Sequence, residues 1–293
     1  DVYKRLDYVT GHFDGLDRSA DGALTIRYRP GGKKAAGEAA RVSALVGADG
    51  AASKVRKQAM GRQETMKHVF AYHEIVRSPE GKTPWFDPER CDVYYQGKVS
   101  PDFYGWVFPH GDCTSEGAGS AVKGFSLRNA VKLMRDKSQL DDNDIVRREG
   151  APLPLKPLRR WDNGRDVVLV GDAAGAVAPS SGEGIYYAMT SGRSAANAVA
   201  DFLDTGNANA LRNVRRDFMS SHRWVFFILG IMQYYWYSSD KRREKFVDIC
   251  RDPDVQRLTW DAYMNKRLVR ARPGAHVRIF FKDLAHLVGM NPR

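Results

Sequence analysis

The chain has 293 residues, of which 43% are hydrophobic and 28% charged, and its formal net charge is +11. This globular composition can bury one large core or two modest ones, and 13 Phe, 13 Tyr and 6 Trp exclude a disordered chain. The longest apolar run, Trp224 to Met232, has nine residues, about half of the roughly 18 that a membrane-spanning helix needs. Three widely spaced cysteines without a CxxC pair favour a reduced, cytoplasmic setting.

The amino-terminal part predicts short strands, turns and the start of a helix. Turn signals stand at Asp14-Gly15 and Asp21-Gly22, and apolar and polar residues alternate over 24–28. A loop rich in Gly and Lys is predicted over 30–40. A strand over 42–46 then leads into a Gly-Ala-Asp-Gly turn, and Ser53 is placed to cap a short helix that begins at Lys54.

The middle of the chain predicts strands and a single helix. Residues that favour strands dominate 92–96 and 103–109, and a third strand is predicted over 117–122. Ser126 begins a helix whose apolar face comprises Leu127, Ala130, Val131 and Met134. Prolines at 152, 154 and 157 predict an extended link without helix.

The carboxyl-terminal part predicts a buried strand over 166–170, a long helix over 185–203 that ends at Gly206, and helices beyond Asn207. Residues 207–293 hold 17 Lys and Arg against 8 Asp and Glu, a net charge of +9. This bias is typical of a protein with an anionic partner, or of a solvated helical surface. The last predicted helix has an amphipathic set: Val277, Phe280, Phe281, Leu284, Leu287 and Val288.

The strongest chemical signal lies where the predicted strand over 166–170 ends. Asp172 follows a buried strand at the edge where open α/β sheets bind ligands, and its carboxylate can accept hydrogen bonds from a polyol. The glycines of 179–185 let backbone N–H groups approach a ligand at the start of the next helix. The alternative is a plain strand–turn–helix unit whose small residues serve packing.

These residues resemble two signatures of the flavoprotein reductases and hydroxylases of the p-hydroxybenzoate hydroxylase type. The resemblance implies that Gly171 and Asp172 bind the ribityl chain of FAD, and that 179–185 lies along the flavin ring. The residues of that segment expected to bind FAD are Pro179, Gly182, Gly184 and Ile185.

The second signature, DGxxSxxR, is matched by Asp49, Gly50, Ser53 and Arg56, which implies a place near the FAD pyrophosphate and the path of NADPH. Arg56 suits a phosphate because its planar guanidinium bonds bidentately; the alternative is a surface ion pair. The chain departs from the family in having no GxGxxG loop and no initiator Met. We therefore expect the first βαβ unit of the flavin domain to precede Asp1.

A second motif is the aromatic run Tyr104-Gly-Trp-Val-Phe-Pro109, followed after seven residues by Gly117-Ala-Gly119. An aromatic strand end beside glycines suits a long apolar ligand, although a strand packing on its own sheet is the alternative. The motif is similar to the YxWxFPx(7)GxG signature of geranylgeranyl reductases. The resemblance implies a prenyl site formed by Tyr104, Trp106, Phe108, Pro109, Gly117 and Gly119.

The resemblance covers nearly the whole chain. Five further stretches are similar to the branch of the family that serves chlorophyll and bacteriochlorophyll synthesis: 70–76, 91–95, 148–157, 236–243 and 283–286. It implies NADPH- and FAD-dependent reduction of C=C bonds in geranylgeranyl diphosphate or geranylgeranyl-bacteriochlorophyll to give the phytyl group. The alternatives are an FAD-dependent aromatic-ring monooxygenase and a non-enzymatic basic module that binds membranes or nucleic acid.

The expected fold is α/β, with a Rossmann-like FAD-binding domain over 1–61 and 159–206, a β-rich substrate domain over 62–158 and a basic helical segment over 207–293. We expect no nucleic-acid partner. The apolar run at 224–232 predicts peripheral membrane contact or closure of the prenyl pocket, with a flanking cationic cluster at Arg223, Lys241, Arg242, Arg243 and Lys245.

Other catalytic classes lack their motifs. The seven histidines show no HExxH or other metal spacing, so we expect no metal, and the sequence has neither a GxSxG elbow nor a P-loop. His110 and Cys113 follow the aromatic motif and can each supply a proton, but ordinary loop residues are the simpler interpretation. The catalytic acid therefore stays unassigned.

Overall fold

The computed structural model describes residues 6–61, 66–140 and 142–265, which form two compact units. Unit 1 comprises Asp1–Met66, Lys156–Val177 and Glu183–Ser220, and unit 2 comprises Lys67–Leu155, Ala178–Gly182 and Ser221–Arg293. The amphipathic set predicted over 277–288 and the motif at 283–286 lie outside the described residues.

Unit 1 contains a three-stranded antiparallel sheet of β1 (Gly11–Arg18), β2 (Leu24–Pro30) and β3 (Glu38–Val42). The predicted turn at Asp21-Gly22 is confirmed, since Gly22 has φ of +81° between β1 and β2. The predicted turn at Asp14-Gly15 is wrong: β1 continues through it with a bulge between Phe13 and Gly15. The bulge brings Gly15 close to the flexible Arg27 side chain, since a Cβ on Gly15 would lie 2.8 Å from Arg27 Nη2. The loop predicted over 30–40 is shorter than expected, since β3 already begins at Glu38.

The second sheet of unit 1 is a parallel pair, β4 (Leu45–Gly47) and β10 (Val167–Leu169). The three residues of β10 are fully buried, as their unbroken apolar run predicts. Helix α1 (Lys54–Ala59) follows β4, and α3 (Ile185–Thr205) follows β10 after a short 3₁₀ turn at Gly171–Ala174. Ser53 caps α1 and Gly206 ends α3, as predicted.

Unit 2 is built on a five-stranded antiparallel sheet in the order β6-β7-β8-β5-β9. The strands are β5 (His68–Arg77), β6 (Asp92–Tyr94), β7 (Gly105–His110), β8 (Cys113–Ser120) and β9 (Ile145–Pro154). Strand β9 includes two of the three prolines that predict an extended link. It can include them because it lies at the edge of the sheet, where a residue without N–H leaves no ladder bond unmade.

One face of this sheet is covered by α2 (Leu127–Ser138), which begins at the predicted cap Ser126. The predicted apolar face packs here: Ala130, Val131 and Met134 are buried with Val99 and Ala118. Side chains alternate along a strand, so residues of β5, β7 and β8 that do not face α2 are directed to the opposite side of the sheet.

Helices continue the chain: α4 (Asn213–Trp236), α5 (Asp240–Ile249) and α6 (Pro253–Asn265), with a 3₁₀ turn at Ala208–Arg212 before α4. Within unit 2, Tyr237 is buried against Val69 and Phe103 of the sheet region. Over the described residues, none of these helices is both long and apolar enough to cross a bilayer.

Candidate cofactor and substrate sites

Two aspartates stand at the carboxyl ends of adjacent parallel strands in unit 1. Val46 pairs with Val168 and Gly47 with Leu169, so the turns after β4 and β10 lie at the same sheet edge. Asp49 is in the first turn and Asp172 in the second. This edge is the usual ligand site of open α/β sheets.

The Asp49 carboxylate accepts hydrogen bonds from the start of α1. One oxygen accepts a hydrogen bond from Ser53 Oγ at 2.5 Å, and the other accepts from the backbone N–H groups of Lys54 at 2.7 Å and Val55 at 3.1 Å. Gly50 makes the turn possible with φ of +77°. Asp49 and Gly50 therefore position α1 and with it Arg56.

Arg56 is buried, with only 8% of its surface exposed. Its Nη1 lies 3.2 Å from Met66 Sδ, and no carboxylate of a described residue forms an ion pair with it. Burial lowers the pKa of the guanidinium, and the charge of Asp49 opposes that effect. Among the described residues, Arg56 is therefore a buried cation without a paired carboxylate, and such a group suits an anionic ligand.

The Asp172 carboxylate lies at the same sheet edge as Asp49 but has different surroundings. It is half-buried and accepts no hydrogen bond from any described residue, and burial raises its pKa. The turn that holds it needs glycine at both ends: Gly171 has φ of +55°, and a Cβ on Gly175, whose φ is +78°, would lie 2.4 Å from the Lys156 carbonyl oxygen.

Helix α3 begins beside this carboxylate. A Cβ on Gly184 would lie 3.3 Å from Asp172 Oδ1, and Gly184 caps α3 without a side-chain hydrogen bond. Ile185, the first helical residue, is 80% exposed. An unpartnered carboxylate next to a bare helix N-terminus fits a ligand with hydroxyl donors and negative charge, which the ribityl and pyrophosphate groups of FAD combine.

Unit 2 contains a cavity of about 600 Å³ on the sheet face opposite α2. Three predicted prenyl-site residues, Tyr104, Trp106 and Phe108, line it and form a continuous aromatic row, with ring centroids 5.9 and 6.3 Å apart. The other lining residues come from β5, β9 and two loops: Ala71, His73, Phe103, Glu149, Gly150, Ala151, Leu153, Ser181 and Gly182.

The predicted site residues Gly117, Gly119 and Pro109 do not line this cavity. Both glycines lie beneath aromatic rings. A Cβ on Gly117 would lie 2.1 Å from the Trp106 indole, and one on Gly119 would lie 2.7 Å from the Phe103 ring. The spaced glycines therefore let the aromatic side chains lie flat across the sheet.

The first half of the segment expected along the flavin ring also belongs to unit 2. Tyr104 donates its hydroxyl proton to the Ser181 carbonyl oxygen at 2.5 Å, and Ser181 and Gly182 line the cavity. Gly182 has φ of +68° and a Cβ there would lie 3.2 Å from Leu153. Pro179 is buried nearby in the chain but does not line the cavity.

Sequence reasoning missed two polar residues of the cavity, His73 and Glu149. For His73 a sequence signal was present, since alternation along β5 places Ala71 and His73 on one face of the sheet. For Glu149 there was none, because β9 was not predicted as a strand and Glu149 could not be assigned a neighbour. The two proton-donor candidates named from sequence, His110 and Cys113, pair with each other at the β7–β8 turn and do not line the cavity. In the described part of the chain, no three His, Cys, Asp or Glu side chains cluster as a metal site.

Comparison with known proteins identifies the class. Residues 25–216 match the FAD binding domain family, and the chain belongs to that family. Its fold resembles the crystal structure of a geranylgeranyl bacteriochlorophyll reductase-like protein from Thermoplasma acidophilum, with a TM-score of 0.74 and 18% identity over 95% of this chain and 68% of that one. The predicted α/β fold with an FAD-binding domain is thereby confirmed.

Two relatives narrow the resemblance. The chain is 51% identical over 253 residues to a geranylgeranyl diphosphate reductase of Rhodobacter capsulatus, covering 86% of this chain and 64% of that protein. It is 37% identical over 270 residues to a chloroplastic geranylgeranyl diphosphate reductase of Oryza sativa, covering 89% and 56%. These relatives confirm the resemblance predicted from the sequence, and the chain spans less than two thirds of their length.

Proposed function

We propose that the protein containing this chain is a flavin-dependent reductase of geranylgeranyl C=C bonds, that it uses NADPH, and that it forms the phytyl group in chlorophyll or bacteriochlorophyll synthesis. The family match supports FAD, and the names of the relatives support the prenyl substrate. Asp172, Gly171, Gly184 and Arg56 are the proposed FAD ligands in unit 1.

The observation that carries the proposal is the lining of the cavity in unit 2. Residues from the flavin-associated segment, Ser181 and Gly182, and the aromatic row at 104–108 line one cavity. Its volume of about 600 Å³ lies within the range of ligand-binding pockets, and its aromatic lining suits an apolar chain. A prenyl chain bound there would lie against the segment expected beside the flavin ring.

Bound FAD, once reduced, supplies a hydride to one alkene carbon. The residues of this chain contribute binding and orientation. Trp106 and Phe108 exclude water from the alkene and restrict its position, and Tyr104 holds the 181–182 backbone in place through its hydrogen bond. Because an isolated alkene is a poor hydride acceptor, this positioning is expected to carry much of the rate enhancement.

The test is anaerobic incubation of the natural full-length protein with NADPH and either geranylgeranyl diphosphate or geranylgeranyl-bacteriochlorophyll. Mass increases of two hydrogens per reduced bond are expected. Trp106→Leu should lower prenyl turnover while keeping bound FAD, whereas Trp85→Leu, at a 55% exposed Trp outside the cavity, should leave both unchanged. Absence of prenyl reduction, together with NADPH-dependent oxygen uptake on an aromatic substrate in a separate aerobic assay, would instead establish a monooxygenase.

We also propose that the protein contacts the cytoplasmic face of an anionic membrane through α4. Its residues Trp224, Phe227, Ile228, Ile231 and Tyr234 are between 38% and 86% exposed and recur at helical spacing, so they form one apolar stripe. Arg223 lies over the Trp224 ring at 5.3 Å, and exposed Lys241 lies in α5. Apolar and aromatic side chains beside cations are the usual components of interfacial binding.

The structure changes the membership of the cationic cluster. Arg243 is only 2% exposed and donates to Asp240 and to the carbonyl oxygens of Pro101 and Tyr237, so it stabilises the fold. The test is therefore vesicle co-sedimentation of Trp224→Ser/Phe227→Ser and of Arg223→Gln/Lys241→Gln. Both pairs should reduce binding to anionic vesicles, and salt should weaken the wild-type protein's binding. No binding to anionic vesicles at low salt would refute the membrane contact.

A further inference from the structure

A hydrogen-bonded chain of four side chains crosses the cavity face of the sheet in unit 2. Trp106 Nε1–H donates to Ser115 Oγ at 3.1 Å, and Ser115 Oγ lies 2.9 Å from His73 Nδ1. His73 Nε2 in turn lies 3.0 Å from Glu149 Oε2. The four residues come from four strands, β7, β8, β5 and β9, so the antiparallel register assembles the network.

The direction of the hydrogen bonds follows from the chemistry of the groups. The indole N–H can only donate, so Ser115 Oγ must accept from Trp106. In neutral His73, Nε2–H donates to Glu149 and the Ser115 hydroxyl donates to Nδ1. When His73 takes up a proton, Nδ1–H donates to Ser115 Oγ, which can turn its own proton away. Both protonation states of the imidazole are therefore hydrogen-bonded at both nitrogens.

The network also connects the cavity with solvent. His73, Glu149 and Trp106 line the cavity, while the Glu149 side chain is 45% exposed and the His73 side chain 26%. Glu149 Oε1 additionally pairs with Arg147 Nε at 2.9 Å. On this face of the sheet, Glu149 and Arg147 are the charged groups beside His73 from β9, and β7 and β8 contribute the neutral Trp106 and Ser115. A proton can thus reach His73 from water through Glu149.

Reduction of an alkene needs one proton as well as one hydride, and the reaction described above leaves the proton donor open. We propose that His73 is the general acid that protonates the second alkene carbon, that Glu149 positions and reprotonates it, and that Ser115 fixes the orientation of the ring. This inference rests on the proposed reductase function.

The proton leaves Nε2 of the His73 imidazolium, whose hydrogen bond with Glu149 on the cavity side breaks for this step. The two π electrons of the alkene form the new C–H bond at one carbon. Hydride from the reduced flavin brings both electrons of the second C–H bond. Neutral His73 then regains a proton from water by way of Glu149. Histidine suits this role because it is the side chain that most readily exchanges a proton near neutral pH.

The first experiment measures single-turnover reduction of the prenyl chain by the natural full-length protein whose FAD has been reduced beforehand. His73→Gln should slow this step by about 10²- to 10⁴-fold, the usual loss on removing a general acid. FAD content and the rate of FAD reduction by NADPH should not change. His110→Gln is the matched control, because His110 is exposed at the end of β7 and does not line the cavity; it should react like the wild type.

Two further measurements separate catalysis from a structural role. Imidazole added to His73→Gly should restore part of the rate, which no packing defect would allow. In protein without bound flavin, the chemical shifts of the His73 ring NMR signals should change in Glu149→Gln, because Nε2 loses its carboxylate partner.

The possible failures are distinguishable. A wild-type protein whose FAD is reduced by NADPH but which leaves the prenyl chain unreduced would refute the proposed function. An active wild type together with an equally active His73→Gln would refute only the assignment of the acid. A slower His73→Gln variant without imidazole rescue, together with unchanged His73 ring signals in Glu149→Gln, would also overturn the assignment of the acid.

Discussion

The sheet edge of unit 1 and the cavity of unit 2 differ in how their polar groups are satisfied. At the edge, Asp172 has no hydrogen-bond partner among the described residues, and burial raises its pKa. In the cavity, Trp106, Ser115, His73 and Glu149 bind one another in sequence. The edge therefore presents a half-buried carboxylate to a ligand, whereas the polar side chains of the cavity network already bind one another.

The same contrast exists between the two aspartates of the sheet edge in unit 1. Asp49 accepts three hydrogen bonds from the start of α1, and Asp172 accepts none from described residues. We infer that Asp49 contributes to stability and Asp172 to ligand affinity, although the two residues follow neighbouring strands. Substitutions can test each half of this contrast independently.

The largest expected effect is on FAD affinity at Asp172. Asp172→Ala removes the carboxylate that we propose as acceptor for the ribityl hydroxyls. Such a hydrogen bond is worth about 1.5–3 kcal/mol, so the dissociation constant of FAD should rise by about 10- to 150-fold. The flavin-free protein should be at least as stable as the wild type near neutral pH, because the lost carboxylate has no partner among the described residues and burial disfavours its ionised form. Titration of the natural full-length protein with FAD, followed by flavin fluorescence, measures the first quantity and urea unfolding the second. Unchanged FAD affinity would contradict the assignment.

The second prediction concerns the cavity, where a substitution should lower the free energy of unfolding without changing FAD binding. Gly117→Ala places a methyl group within 2.1 Å of the Trp106 indole, which must move. Overpacking of this kind costs about 1–3 kcal/mol of the free energy of unfolding.

Gly230→Ala in α4 provides the matched control. A Cβ there meets no atom within 4 Å, and alanine is favoured over glycine inside a helix by roughly 0.5–1 kcal/mol, so this variant should be slightly more stable. Urea unfolding of both variants gives the comparison. Equal stability of the Gly117→Ala variant and the wild type would show that the indole does not lie against the strand as described.

The third prediction concerns Asp49, the other aspartate of the sheet edge. Asp49→Ala leaves the first N–H groups of α1 without acceptors and should lower the free energy of unfolding by about 1–2 kcal/mol, as loss of a helix cap does. Its effect on FAD should be indirect and smaller than that of Asp172→Ala. Asp49→Asn, which keeps one acceptor oxygen, should recover part of the stability. A loss of FAD affinity at unchanged stability would instead make Asp49 a direct ligand.

These contrasts also show what the sequence could predict. The turns after β4 and β10 and the caps Ser53, Ser126 and Gly206 follow local rules of chain geometry, so they were predictable. The aromatic row was predictable from period-two alternation over 104–108. The different surroundings of Asp49 and Asp172 could not be predicted, because in the sequence each is an aspartate beside a glycine after an apolar strand.

The hydrogen-bonded network of the cavity could not be predicted from local sequence patterns either. His73 and Glu149 are 76 positions apart and become neighbours only through the pairing of β5 with β9. The prolines of β9 argue against a strand in any local interpretation, and only the edge position of β9 makes them acceptable. The bulge at Gly15 was missed similarly, since Asp-Gly is a turn signal unless the partner strand continues past it.

The smallest expected effect is the pH dependence of FAD binding. Burial raises the pKa of the Asp172 carboxyl in the flavin-free protein, so the carboxyl takes up a proton at a higher pH than in the unfolded chain. For an acid with a raised native pKa, the stability of the flavin-free protein falls as pH rises from the ordinary aspartate value through the native one. Hydroxyl donors favour the ionised form of the carboxyl. FAD affinity should therefore change in the opposite direction and weaken as pH falls through that window.

Asp172→Asn should bind FAD less tightly than the wild type at neutral pH and lose less affinity on acidification, since its amide does not titrate. Parallel pH dependences of FAD affinity in the wild type and Asp172→Asn would show that another group controls binding and that the Asp172 carboxylate is not the acceptor for the ribityl chain.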